Sequence, residues 1–374
     1  MSSYGAALSE HPDTARAVGE AISEILGAVG DSPDLVVVFI TGHHLHKASE
    51  ILSAIHTGLN PKATIGASAV SVLCGAKEVE DSPAIALWAA KDCPVRSVRL
   101  TAAKSPESSQ DWRICGLEDD AQGTLLLLSD PFSFPSNALW KQHPRLTVVG
   151  GMASAVGHIR SNRLILNRSV YDDGAVAVLT DPSVRIESVV SQGCRPIGMP
   201  FTITKSHGNL ILEMGGRSAV QRLRETLAGL DEADRVLVGK GLHMGIVIDE
   251  HKSEFERGDF LIRSLLGADE QAGVLAVGET VEVGTTVQFQ VRDAASADAD
   301  LRGLMADVQA NAALVFTCNG RGTHLFSEPH HDAQVVKQAL GDANVAGMFC
   351  AGEIGPIAGK NFLHGFTASV VLFP

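Results

Sequence analysis

Three stretches of this chain repeat one pattern, in which an apolar strand is followed by a helix, a glycine-containing strand and a further strand. The first copy has Val36–Ile40, a helix over Leu45–Leu59, Thr64–Ala69 and Ile85–Trp88; the second has Leu125–Leu128, a helix opened by Pro135, Val148–Ser154 and Val176–Leu179; the third has Leu314–Thr317, a helix opened by Pro329, Val345–Glu353 and Phe366–Phe373. Recurrence at this length indicates duplicated units that pack on one another, with any functional site between them.

The order of the elements predicts an α+β fold. Strands alternate with helices, yet several strands are joined by hairpins, for example at Gly208–Asn209. We therefore expect βαββ-like repeats that form mixed sheets covered by helices, in two associated parts. A helix that ends at Asp231–Asp234 places the boundary between residues 1–230 and residues 231–374.

Composition limits the kinds of partner that this chain can have. The 374 residues are 45% hydrophobic and carry a net charge of −13, which disfavours nonspecific binding to nucleic acid or to an anionic membrane. No apolar stretch approaches the roughly 18 residues that span a bilayer. The N-terminus lacks the pattern of a secretory signal, and the six cysteines are far apart, so we expect a cytoplasmic protein with reduced thiols.

Five motifs occur in an order that matches a known family. They are Gln192–Gly198, Gly258–Arg263, Val287–Asp293, Cys318–Gly322 and Gly352–Pro356. This set resembles the FIST family, a small-ligand sensory domain of bacterial signalling proteins that also occurs in an F-box protein. The resemblance covers nearly the whole chain, as an N-terminal and a C-terminal FIST part. It implies a cytoplasmic sensor of an amino-acid-like metabolite that acts in signal transduction through a separate protein partner.

The chain departs from the family pattern in its first repeat. The family usually has a Gly-Glu pair after the glycine-containing strand, whereas Gly66–Val70 is followed by no immediate acid, and Glu78 comes later. A matching acidic contact is therefore not expected in this repeat.

Arg321 and Glu353 are the main candidates for ligand binding. Each follows a strand of the third repeat and is flanked by glycines that allow a close backbone approach, at Gly320 and Gly352. An arginine binds a carboxylate through its two-pronged fork, and a glutamate accepts from an ammonium group, so together they complement an amino acid. We expect them to face a solvent-reachable hollow. The alternative is a structural Arg–Glu salt bridge without a ligand.

Other residues of these motifs complete the predicted site. Cys318 and Asn319 precede Arg321, and a positive environment formed by Arg321 and His324 would favour a reactive thiolate at Cys318, although an inert buried cysteine is the commoner case. Arg195 could reach an anionic ligand or, alternatively, fix a loop to a sheet edge.

Neither metal binding nor a recognisable catalytic set is predicted. The histidines of Gly42–His46 and the pair His330–His331 lack the i, i+4 spacing of metal-binding helices. No Ser–His–Asp arrangement can be identified, and no cofactor is expected. The prediction is thus a sensory protein that binds a small polar metabolite. The alternatives are an enzyme that uses Cys318 and a protein-interaction module without a ligand.

Overall fold

The structure is a computed structural model and describes residues 3–104 and 111–374. In chain order the strands of these residues are β1 Ser3–Ser9, β2 Leu35–Thr41, β3 Ala63–Ala69, β4 Val72–Cys74, β5 Lys77–Val79, β6 Ile85–Lys91, β7 Val95–Lys104, β8 Trp112–Cys115, β9 Gly123–Ser129, β10 Leu146–Met152, β11 Leu164–Leu166, β12 Ser169–Tyr171, β13 Ala175–Thr180, β14 Glu187–Gln192, β15 Cys194–Pro196, β16 Phe201–His207, β17 Leu210–Met214, β18 Arg217–Ser218, β19 Leu242–Val247, β20 Phe260–Asp269, β21 Val274–Val277, β22 Thr286–Arg292, β23 Ala312–Cys318, β24 Asn344–Cys350, β25 Glu353–Ile357, β26 Lys360–His364 and β27 Thr367–Phe373. The α-helices are α1 Thr14–Val29, α2 Ala48–Leu59, α3 Ser136–Gln142, α4 Ala219–Ala228, α5 Glu232–Lys240, α6 Ala294–Met305 and α7 His331–Leu340.

The described residues form two compact units that are not consecutive in the sequence. Unit 1 comprises Met1–Val190, Leu301–Leu363 and Thr367–Pro374, and unit 2 comprises Ser191–Asp300 and His364–Phe366. Mixed sheets covered by helices confirm the predicted α+β class. The boundary between residues 230 and 231 refers to the two family parts of the sequence and stays a prediction.

Unit 1 contains the three predicted repeats. In each repeat the first strand pairs in parallel with the second and antiparallel with the returning strand: β2 with β3 and β6, β9 with β10 and β13, and β23 with β24 and β27. The crossing helices are α2, α3 and α7. Because the strands are covered on both faces, they are continuous apolar runs, and every residue of β2 is buried.

The inner faces of the three sheets share one core. Phe39 of β2 and Phe316 of β23 meet there edge to face, with ring centroids 6.0 Å apart, and Leu128 of β9 joins the same cluster. The opposite faces pack on helices, as Val36 and Val38 do on α1 and α2. The pattern of core residues therefore fixes which face of each repeat turns inward.

Each repeat also contributes a hairpin to the sheet of another repeat. The hairpin β4–β5 of the first repeat extends the third sheet, β11–β12 of the second extends the first, and β25–β26 of the third extends the second. This cyclic exchange carries Glu78 on β5 and Glu353 on β25 away from their own sheets. It is the feature of the fold that determines what surrounds the candidate site.

Unit 2 is built on one antiparallel sheet that closes because β22 pairs with both β16 and β19. Met244, Phe289 and Val291 on one face form a core with residues of α4 such as Val220. The expectation that Asp231–Asp234 ends a helix is wrong, since the Asp231 side chain caps α5 by accepting from the Asp234 amide at 2.8 Å. Helix α5 has no fully buried residue, and its large apolar side chains are consecutive, at 236–238, so they do not form a periodic stripe.

In the parts of the chain that the structure describes, no helix combines the length and apolar character needed to cross a membrane.

Candidate functional site

Arg321 is fully buried and is held by a carboxylate from the next helix. It follows β23 after a tight turn in which its own amide donates to the Cys318 carbonyl at 2.8 Å. Its Nε and Nη2 donate to Oδ2 and Oδ1 of Asp332, both at 2.7 Å. Asp332 lies in the first turn of α7. The planar guanidinium and the carboxylate thus form the two-pronged pair expected of a strong charge-assisted interaction.

Asp332 is a fully bonded buried carboxylate. Thr317 Oγ1 donates to its Oδ2 at 2.5 Å, and His331 Nδ1 lies 2.9 Å from its Oδ1. Burial would raise the pKa of Asp332, but the Arg321 charge and these hydrogen bonds hold it well below its usual range. Asp332 is therefore ionised at neutral pH, and its place at the N-terminus of α7 favours that charge.

Glu353 is also fully buried, and one of its two carboxyl oxygens is held by Thr367. Its Oε2 accepts from the Thr367 amide at 3.1 Å and from Thr367 Oγ1 at 2.8 Å. Burial raises the pKa of Glu353 to about 8, although Thr367, Arg321 and Cys318 act to lower it. Glu353 consequently carries a proton in most molecules at pH 7.

Arg321 and Glu353 lie in one cluster, but not as the sequence predicts. The guanidinium fork is occupied by Asp332, so a direct Arg321–Glu353 salt bridge is not the contact that holds either residue. Both side chains have no exposed surface, and the expectation of a solvent-reachable hollow is wrong for this conformation. The reason is that α7 supplies a closer acid than β25 does.

Two atoms of this pair have no hydrogen-bond partner in the described part of the chain, namely Arg321 Nη1 and Glu353 Oε1. A buried polar atom without a partner costs about 1–3 kcal/mol, and such atoms in native proteins mark bound water, ions, ligands or functional strain. The charges of the two residues influence each other's pKa. The cluster therefore contains one donor, on Arg321, and one oxygen, on Glu353, that the described residues leave unbonded.

Glu78, the acid that comes late in the first repeat, is a third buried acid of this region, and its contact with the third repeat was not predicted. Its Oε1 accepts from the Ala333 amide at 2.9 Å, at the start of α7, whereas its Oε2 is without a hydrogen-bond partner among the described residues. Burial, together with the Asp332 charge, raises the pKa of Glu78 to about 7. Only the hairpin exchange brings β5 to α7, so no local signal could have placed Glu78 there. We call Arg321, Asp332, Glu353, Glu78 and Cys318 the third-repeat cluster.

The remaining motif residues surround this cluster. The Cys318 thiol is buried, accepts from the Gly320 amide at 3.5 Å and lies 3.8 Å from Asn319 Oδ1, while Asn319 itself is exposed. The Gly352 carbonyl accepts from the Met152 amide at 2.9 Å, which ties the third repeat to the second. Cys350, the register neighbour of Cys318, has a pKa well above its ordinary value because it is buried. Reactivity of Cys318 stays a prediction.

Arg195 belongs to unit 2 and makes structural contacts. Its Nε donates to Asp293 Oδ2 at 3.0 Å, and its Nη2 donates to Asp234 Oδ1. Asp234 lies in the first turn of α5, and Asp293 directly precedes α6. Arg195 thus clamps β15 to the starts of two helices, which corresponds to the alternative of a loop fixed to a sheet edge. A ligand role for Arg195 stays a prediction.

The histidines noted in the sequence are separated in the structure. His44 is fully buried and its Nδ1 lies 2.9 Å from Thr14 Oγ1, whereas His43 and His46 are exposed. His331 stacks on Phe326 with ring centroids 3.4 Å apart. Within residues 3–104 and 111–374, no group of three or more His, Cys, Asp or Glu side chains is arranged to hold a metal ion.

Comparison with known proteins agrees with the motif pattern. Residues 34–217 match the FIST N domain and residues 219–356 match the FIST C domain. An uncharacterized protein of Mycobacterium tuberculosis is 43% identical over 382 residues, which cover 99% of this chain and 99% of that protein. An uncharacterized protein of Mycobacterium bovis is 42% identical over 383 residues, covering 99% of this chain and 98% of that protein. The chain therefore belongs to the FIST family, whose domains are considered small-ligand sensory domains of signalling proteins.

Proposed function

We propose that this protein is an intracellular, cytoplasmic sensor that binds an amino-acid-like metabolite at the third-repeat cluster and passes the signal to a protein partner. One observation carries the proposal: Arg321 Nη1 and Glu353 Oε1 are buried in the same cluster, and neither has a hydrogen-bond partner among the described residues. The first atom is a cationic donor that suits a carboxylate. The second is a carboxyl oxygen that suits an ammonium group.

Binding at this cluster requires a local opening. Both side chains are fully buried, and the turn that covers Arg321 contains Gly320 and Gly322, the latter at a φ of +55°. Only the open fraction of molecules can bind, so the apparent affinity is reduced by that fraction. A ligand that binds the open form shifts the population toward it, and this change is what a partner would recognise.

The protonation of Glu353 gives the proposal a specific signature. At pH 7 the Glu353 carboxyl is mostly protonated, because burial raises its pKa to about 8. An ammonium group placed beside Glu353 favours the ionised form, so binding should release up to one proton. Calorimetry in two buffers of different ionisation enthalpy measures that release directly.

The experiment is a thermal-shift screen of the full chain with the amino acids, followed by calorimetry of any that raises the melting temperature. Glu353→Gln should weaken binding about ten-fold or more and abolish proton release, and Arg321→Lys should weaken binding in the same way. Asp130→Asn, which changes a buried carboxylate of the second repeat, is the matched control and should bind as the native protein does. Unchanged affinity in both Glu353→Gln and Arg321→Lys would refute the proposal.

A further inference from the structure

A second set of incompletely bonded polar groups is buried in unit 2. His243 on β19 and Gln290 on β22 are register partners on adjacent antiparallel strands, so their side chains lie on the same face of the sheet. Their exposed fractions are 7% and 1%. Both ring nitrogens of His243 and Nε2 of Gln290 lack a hydrogen-bond partner in the part of the chain that the structure describes. Two adjacent polar side chains at this depth require an explanation.

The groups on this face are mainly hydrogen-bond donors. Burial and the neighbouring charge of Arg292 lower the pKa of His243 to about 4, so the imidazole is neutral and offers one N–H and one acceptor nitrogen. The Gln290 amide offers two N–H groups. Arg292 lies two residues beyond Gln290 on the same strand and face, and it adds a positive charge. The donors of His243 and Gln290 complement an anionic oxygen, and the Arg292 guanidinium lies on the same face.

Phe366 covers these residues in a strained conformation. Its ring centroid is 4.2 Å from that of His243, and the Arg292 guanidinium lies 5.2 Å from the Phe366 ring. The φ of Phe366 is +62°, a region that a bulky side chain rarely adopts. Strained backbone of this kind persists where surrounding contacts impose it, and it is concentrated at ligand clamps and active sites.

The position of the Gln290 amide depends on a glycine of the neighbouring strand. A Cβ atom at Gly245 would lie 2.6 Å from Gln290 Nε2 and 2.9 Å from Cδ1 of Phe260. Any other residue at Gly245 would therefore displace the amide. Gly245 thus leaves room for the Gln290 amide, whose Nε2 makes no hydrogen bond to the described protein atoms.

We propose that His243 and Gln290, with Arg292 beside them, form a binding site in unit 2 for the carboxylate group of a small organic acid. Phe366 lies against His243 and Arg292 at this site, and acetate and succinate are the simplest acids that present such a carboxylate. This proposal uses different residues from the third-repeat cluster and does not rest on the function proposed for that cluster.

The test is calorimetry and thermal melting of the full chain at pH 7 and constant ionic strength, with acetate, succinate and inorganic phosphate as probes. Acetate or succinate should raise the melting temperature of the native protein, and Gln290→Leu should weaken that binding at least ten-fold. His243→Phe keeps an aromatic ring beside Phe366 and should have the same effect. His243→Phe should not lose stability without a ligand, because both ring nitrogens that it removes have no partner among the described residues.

Gln288→Leu is the matched control, because Gln288 lies on the same face but its amide already donates to the Gly198 carbonyl at 2.8 Å. It should retain carboxylate binding, as should Arg321→Lys, which changes the proposed carboxylate-binding residue of the third-repeat cluster and nothing in unit 2. The proposal is overturned if neither acetate nor succinate binds, which is the result expected where water alone fills the site. It is also overturned if phosphate alone binds, or if Gln290→Leu binds the carboxylates as the native protein does. Loss of binding in Arg321→Lys but not in Gln290→Leu would assign the carboxylate to the third-repeat cluster instead.

Discussion

The second and third repeats share one topology but differ in how their polar strand ends are bonded. Asp130 follows β9 and is fully buried; its Oδ2 accepts from Ser133 Oγ at 2.7 Å and from the Phe132 amide at 3.2 Å, and its Oδ1 from Asn162 Nδ2 at 3.4 Å. In the third repeat, Arg321 comes soon after the end of β23 and Glu353 soon after the end of β24. Each has one side-chain atom with no hydrogen-bond partner among the described residues.

This difference separates a structural polar site from a candidate functional one. In the second repeat, local side chains and backbone amides satisfy the buried carboxylate, so its burial stabilises the turn. In the third repeat, Asp332 neutralises the Arg321 guanidinium. Arg321 Nη1 and Glu353 Oε1 still have no partner among the described residues, and this lowers the free energy of unfolding. A protein retains such a cost where the groups serve another purpose, so the third repeat is where a ligand is expected.

The largest expected effect comes from removing the acid that neutralises Arg321. Asp332→Ala leaves a fully buried guanidinium without its counter-ion, and we expect a loss of about 3–5 kcal/mol in the free energy of unfolding, measured with urea. Asp173→Ala is the control, because Asp173 pairs with Arg99 at a partly exposed site and should cost no more than about 1 kcal/mol. Equal losses in the two variants would show that the buried Arg321–Asp332 pair contributes no more to the free energy of unfolding than the partly exposed pair does.

A smaller loss is expected from the corresponding change in the second repeat. Asp130→Ala leaves the Phe132 amide and two side-chain donors without their acceptor, and we expect it to cost about 1–3 kcal/mol in urea unfolding. Amino-acid binding measured by calorimetry should not change. If binding were lost in this variant, the distinction between the two repeats would fail and both strand ends would have to be treated as functional.

A third effect, seen as a slope and not as a loss at one pH, is a change in the pH dependence of stability. The pKa of Glu353 is raised to about 8 in the native protein, whereas an unfolded glutamate ionises near pH 4.5. Between these values the native state holds one more proton than the unfolded state, so stability falls as pH rises, by about 1.4 kcal/mol per pH unit for one proton.

Glu353→Gln removes this contribution, and its free energy of unfolding should fall less steeply from pH 5 to pH 8 than that of the native protein. Glu78, with a pKa of about 7, contributes a fall of the same sign up to pH 7 in both proteins and so cancels in the comparison. Parallel curves for the two proteins would mean that Glu353 is not held in its protonated form.

The repeats and the α+β class were predictable because apolar runs and their breaks report local conformation. The helix opened by Pro135 and the hairpin at Gly208 follow from such local signals. Helix α5 was missed because its large apolar side chains are consecutive and form no periodic stripe. The motif residues Arg321 and Glu353 were found, but their partners were not, since Asp332 and Thr367 carry no signal of their role.

The sequence by itself determined three copies of one strand–helix–strand unit, because each copy's hydrophobic periodicity specifies its own elements and their buried faces. Only the tertiary structure decided which polar and charged side chains lie next to one another. The exchange of hairpins brings Glu78 to α7, and strand register sets His243 beside Gln290. Contacts between residues distant in the chain depend on packing and register, which local periodicity does not encode.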